Sequence, residues 1–397
     1  MIVKVSDNII SPLGMSTAEN YAAVKAGRSE LKRRDGLWNL PEPFTASLMN
    51  RDAVNEIAAQ RGIDDHYTFF EKMIILSAAK ALEQTNIDPS SDKVLFVLST
   101  TKGNVFLLDK RETGFPQKRV LLGVAARQMT DYFHNPNAPI VVSNACISGV
   151  CAQIQAMREL EGFADNGACP VDPNGKRQSH KFDYVVVVGC DVQSAFIVSG
   201  FQSFKALSVD PCKPFDANRT GLNLGDAAAT IIYTRKDNIT ENDWVACRGA
   251  IRNDANHISG PSRTGEGSYR ALKAVLGDMN PEKLAFINTH GTATLYNDEM
   301  ESVAIERAGL AQVPVNGLKG YYGHTMGAAG ILETILSMQA IDDNNILATK
   351  GFETLGVTHP LVLSNENKPT DKRAFIKLLS GFGGCNAALL MAKGGVS

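Results

Sequence analysis

Residues 138–151 read Ala-Pro-Ile-Val-Val-Ser-Asn-Ala-Cys-Ile-Ser-Gly-Val-Cys. The β-branched run from Ile140 to Val142 predicts a short buried strand, and the composition of 148–158 predicts a helix ending in basic residues. Cys146 therefore falls in a tight strand-to-helix turn. Unpaired backbone N–H groups and the helix dipole at such a place favour a thiolate and can also stabilise an oxyanion. Apolar surroundings push the other way and raise a thiol's pKa. Taken alone, one such cysteine reads more simply as core.

Outward from this turn the pattern repeats. Strands are expected at 93–99, 139–142, 184–189, 228–234, 244–251, 284–288 and 374–379. Helices are expected at 18–26, 68–84, 122–132, 149–160, 268–276, 298–308 and 328–341. Such alternation means α/β layering. Two more strand-to-helix turns carry histidines: His290 in Lys-Leu-Ala-Phe-Ile-Asn-Thr-His-Gly-Thr-Ala-Thr (283–294) and His324 in Val-Asn-Gly-Leu-Lys-Gly-Tyr-Tyr-Gly-His-Thr-Met-Gly-Ala-Ala-Gly (315–330). Glycine and threonine turns at strand ends let backbone approach a ligand and commonly carry catalytic groups.

Composition narrows the class. With 44% hydrophobic residues, 21% charged residues and a net charge of −2, the chain can bury a large core and is no nucleic-acid binder. No apolar run is long enough to span a membrane. A cytoplasmic enzyme is expected. Seven cysteines without metal-type spacing argue against a disulfide framework or a metal site.

Seven segments in order then carry a family likeness: ISPLG (10–14), ACISG (145–149), FKALS (204–208), KPFDANRTGLNLG (213–225), HGTATLYNDEME (290–301), KGYYGHTMGAAG (319–330) and GFGGCN (381–386). The chain resembles a beta-ketoacyl-acyl-carrier-protein synthase of the elongating type, in the thiolase superfamily. That resemblance implies a thiolase-like fold of two similar halves, 1–238 and 239–397, layered α/β/α/β/α. It implies decarboxylative condensation of an acyl group on Cys146 with malonyl-acyl-carrier protein, giving a 3-oxoacyl product two carbons longer. His290 and His324 would donate hydrogen bonds to the enolate, Lys319 would orient His324, and Glu301 would be the acidic partner of Lys319. The backbone N–H groups of Cys146 and Phe382 would form an oxyanion hole, with the Phe382 ring as a gate. Thr292 and Thr294, assisted by Ser259, would bind the phosphopantetheine arm.

The same likeness implies no tightly bound cofactor, an acyl carrier protein as partner, and a homodimer or a heterodimer with a related synthase subunit. Basic clusters at 32–34, 110–111, 118–119 and Lys205 are candidate contacts for an acidic carrier. Departures from the family lie at Ile147, larger than the usual Ala or Ser and expected to reshape the pocket entrance, at Cys385, where Thr is usual, and in a polar insertion at 163–181. They leave open whether the pathway is fatty-acid, polyene or polyketide synthesis. Two other readings stand beside this one: a thiolase, with Cys385 as the base, and a non-catalytic chain-length partner, which typically lacks the nucleophilic cysteine.

Overall fold

The computed structural model describes residues 1–109, 114–161 and 181–395. The insertion at 163–181, Lys181 apart, and the basic pair at 110–111 lie outside them. Ten strands form one sheet: β1 Ile2–Ile10, β2 Val94–Ser99, β3 Ile140–Val142, β4 Tyr184–Asp191, β5 Ala227–Arg235, β6 Trp244–Asn253, β7 Leu284–Asn288, β8 Val315–Asn316, β9 Ala374–Gly381 and β10 Cys385–Lys393. Their order is β8-β7-β9-β10-β6-β1-β5-β4-β2-β3. From the join outward, the first five strands run 1-5-4-2-3 and the last five repeat that order. Within the sheet, a single bridge, Val3 to Val245, joins the halves.

The principal helices are α1 Phe69–Leu82, α2 Leu122–Tyr132, α3 Ser148–Glu161, α4 Ala195–Ser203, α5 Glu266–Leu276, α6 Leu295–Arg307 and α7 Ala329–Asp342. Strand alternation assigns them to layers. Val186 and Val188 of β4 pack outward with α1 and α2, whereas Val185 and Val187 pack inward with α3 and α7. In the second half Ile376 and Leu378 of β9 pack outward with α5 and α6, and Phe375 and Leu379 pack inward against the same central helices. The layering is α/β/α/β/α. Both faces of most strands are covered, which is why they read as continuous apolar runs. Each fully buried valine in them contributes about 1.5–3 kcal/mol.

Local chemistry sets the helix starts. Thr68 and Glu71 form a reciprocal capping box at α1. The inner helices meet at glycines: a Cβ on Gly330 would lie 2.5 Å from the Val150 nitrogen, and one on Gly149 would lie 2.9 Å from the Gly330 nitrogen. The sequence misplaced one element. Ile140–Val142 is only partly buried, because it is the edge strand of the sheet. Helices Arg51–Gln60 and Ala195–Ser203 and the strands Val315–Asn316 and Cys385–Lys393 were not anticipated.

Candidate active site

β3 ends at Val142, and the chain turns through Ala145, held at φ +44°, before α3 begins. The Ser148 hydroxyl donates to the Ala145 carbonyl at 2.6 Å and accepts from the Asn144 N–H at 2.8 Å. This clamp holds a non-glycine residue in a left-handed conformation and presents Cys146 on the elbow. Cys146 is 8% exposed. Burial, reinforced by Cys385, pushes its thiol up to about 12. Burial thus favours the thiol over the thiolate.

His324 takes the corresponding place in the second half, between β8 and α7. Its Nδ1 accepts the Met326 N–H at 3.3 Å, so a neutral ring carries its proton on Nε2, which is buried without a partner. His290 follows β7. Its ring stands edge-on to His324, with centroids 5.0 Å apart. Both imidazoles are held well below the ordinary 6.5, first by burial, then by the nearby Lys319 and Lys377 ammonium groups. Both are neutral at pH 7. One donor atom each from Cys146, His290 and His324 lies within 4.8 Å of the others, the one cluster among the described residues compact enough to take a metal ion.

Lys319, 1% exposed, donates to the His290 carbonyl at 2.6 Å and to Glu333 Oε1 at 2.8 Å. Its acidic partner is thus Glu333 on α7, not Glu301. Glu301 is fully buried and accepts the backbone N–H groups of His290 and Gly291 at 2.6 and 2.8 Å. The peptide N–H groups at the turn claim this carboxylate and keep it off the lysine. Burial and the adjacent Asp298 raise its pKa to about 7. Three further buried groups were missed from sequence. Asp191 ties the Gly327 N–H, at 2.7 Å, to the Thr100 hydroxyl, at 2.8 Å. Glu333 and Lys377 extend the charge cluster, with Lys377 Nζ 2.5 Å from Glu333 Oε2.

Cys146, His290 and His324 line one cavity of about 440 Å³, together with Thr292, Thr294 and Ser259. The Thr292 and Thr294 hydroxyls are paired at 2.9 Å. Phe382 stands in the same wall, its ring against Phe201 and Phe204 with centroids 5.9 and 5.3 Å away. A Cβ on the adjoining Gly381 would come 3.1 Å from the Cys146 nitrogen. Ile147 departs from expectation: it is fully buried in the central core and does not line the cavity. Residue 147 starts the inward turn of the helix, so its side chain enters the layer between the sheets. Arg119, one of the expected basic contacts, is also turned inward, paired with Glu71.

The geometry can be compared with known proteins. Residues 245–353 match the family described as beta-ketoacyl synthase, C-terminal domain. The chain is 30% identical to 3-oxoacyl-acyl-carrier-protein synthase 2 of Staphylococcus aureus (strain N315), over 97% of this chain and 96% of that protein. It is 25% identical to the synthase of the same name from Vibrio cholerae, covering 99% of each. Among solved structures, a ketosynthase in complex with its chain length factor from Xenorhabdus doucetiae superposes with a TM-score of 0.83 at 21% identity, over 99% of this chain and 98% of that one. A beta-ketoacyl synthase from Burkholderia phymatum gives 0.82 at 21% identity, over 99% of each chain.

Proposed function

The chain belongs to the 3-oxoacyl-acyl-carrier-protein synthases, and from that premise we propose that Cys146, His290 and His324 perform its elongating condensation. The observation that carries the assignment is the convergence of these three groups, within 4.8 Å, on one cavity. In the first half-reaction the Cys146 sulfur attacks the thioester of an acyl-carrier protein. The neutral His290 imidazole takes the thiol proton, since His324 Nε2 already carries one, and passes it to the departing pantetheine thiolate. In the second, malonyl thioester loses carbon dioxide, and the electron pair of the broken C–C bond becomes an enolate. The N–H groups of His290 and His324 stabilise the enolate oxygen. The enolate carbon attacks the Cys146 thioester carbonyl, the C–S bond breaks, and the thiolate takes up a proton from solvent, the one proton the decarboxylative condensation consumes.

The remaining roles follow from position. Lys319 fixes the His290 carbonyl, and Glu301 fixes its N–H. Thr292, Thr294 and Ser259 receive the phosphopantetheine arm, and Phe382 gates the acyl side. A second subunit, either another copy or a related synthase, and an acyl carrier protein are the partners we assign. The six described cysteines are free thiols, which suits the reducing cytoplasm. The thiolase alternative finds less support: Cys385 does not line the cavity, and its thiol donates to the Phe382 carbonyl at 3.2 Å.

Intact-protein mass spectrometry with a panel of acyl-carrier thioesters tests this reading. An adduct on Cys146 that is consumed into a two-carbon-longer ketoacyl product once malonyl carrier is added is the expected result. Acylation by acetyl-coenzyme A with no need for malonyl would point to a thiolase instead.

A further inference from the structure

β9 carries a residue that its strand pattern forbids. The inward positions of this strand are Phe375, Lys377 and Leu379, and Lys377 is as fully buried as its neighbours. A buried ammonium is costly unless paired and hydrogen-bonded, and a break in an otherwise consistent core pattern marks a functional constraint. Lys377 Nζ donates to Asn288 Oδ1 at 2.7 Å, to the Thr289 carbonyl at 3.0 Å and to the Asn288 carbonyl at 3.3 Å. It also stands 2.5 Å from Glu333 Oε2, a short ionic contact whose angle falls outside hydrogen-bond geometry. The other oxygen of Glu333 belongs to Lys319, which holds the His290 carbonyl. Two lysines therefore grip consecutive carbonyls, 289 and 290, and share one carboxylate.

We propose that Lys377 is a positioning residue of the condensation step, fixing the Thr289 carbonyl and, through Glu333, fixing Lys319 beneath His290. This rests on the function proposed above and extends it to a residue outside the cavity. The charge has a second consequence. Lys377 is faced by Glu333 from α7, by Lys319, by Glu301 from α6 and by the two imidazoles. Its ammonium is one of the causes that lower both histidines. Without it each ring takes a proton at higher pH, and a protonated ring cannot accept the thiol proton.

The test compares native protein with Lys377→Met. At pH 7.5 we expect acyl loading of Cys146 within about twofold of native, while malonyl-dependent condensation falls at least about tenfold. The acid limb of the acyl-loading rate, the step in which a ring accepts the thiol proton, followed from pH 5 to 8, should move up by about half a unit or more. Lys377→Gln keeps a donor for the Thr289 carbonyl without the charge, so it should recover rate yet keep the displaced limb. Native rate with an unmoved limb in Lys377→Met overturns the proposal. So does equal loss of both half-reactions with an unmoved limb in Lys377→Gln, which would mark a purely structural lysine. Should native protein elongate no primer, the function above fails by itself. NMR titration of the His290 and His324 rings in native and Lys377→Gln protein still reads the displacement without turnover, and unmoved rings overturn the proposal.

Discussion

At Cys146 two influences oppose each other, a helix start that favours the thiolate and a buried site that disfavours it, and burial pushes the thiol up to about 12. Alkylation by neutral iodoacetamide should keep rising beyond pH 9 without a plateau, since a raised pKa delays ionisation. A plateau below pH 9 would mean a pre-formed thiolate and would remove the need for an imidazole base. The residues that touch the cavity were readable because each sits in a conspicuous turn: Cys146 among small residues, His290 and His324 among glycines and threonines. Those behind them were not. Glu333 and Lys377 lie inside apolar runs that read as plain core, and only folding brings α7 and β9 under the histidines. The family resemblance paired Glu301 with Lys319, but a resemblance does not say that the backbone N–H groups of His290 and Gly291 reach it first.

Between elements, the decisive contact is the crossing of α3 and α7. Each inner helix follows the third strand of its half, so Cys146 and His324 occupy equivalent turns and are brought together where the two helix starts touch. That touch requires Gly149 and Gly330, whose missing Cβ atoms would collide with backbone. Overpacking of this kind costs about 1–3 kcal/mol. Gly330→Ala should lose that much in urea unfolding and should slow condensation more than loading, because α7 moves with His324. Native stability in this variant would show that the helices have room to separate. Most strands and helices were legible from period and composition, within a few residues at their ends. The exceptions have physical reasons: β3 has the composition of a core strand but lies at the edge, and α4, with its central Gly200, shows no clear amphipathic period.

For the whole molecule, the two ends of the ten-stranded sheet are finished differently. Beyond β8, Val315 donates to the Val362 carbonyl at 2.8 Å, so that end is covered by the chain itself. Beyond β3 no described strand pairs, and a bare edge offers unpaired N–H and C=O groups to another chain. Exposed apolar side chains stand on the same half of the chain. Leu121, 62% exposed, opens the helix packed beside β3, while Leu108 and Phe196, 49% and 56% exposed, border a second cavity of about 380 Å³. An edge paired with its own copy about a two-fold axis would close both the strand and the apolar surface in one isologous contact. Sedimentation equilibrium should therefore give twice the 42.8 kDa chain mass, and the double variant Leu121→Lys with Phe196→Glu should shift the protein to the monomer with its fold intact by circular dichroism. A native chain that sediments at 42.8 kDa would leave this face for a different subunit, and dimerisation on mixing with a related synthase chain would then identify it. Because α2 and β3 pack together ahead of the Cys146 elbow, loss of the second subunit should also slow acyl loading, tying assembly to the first half-reaction.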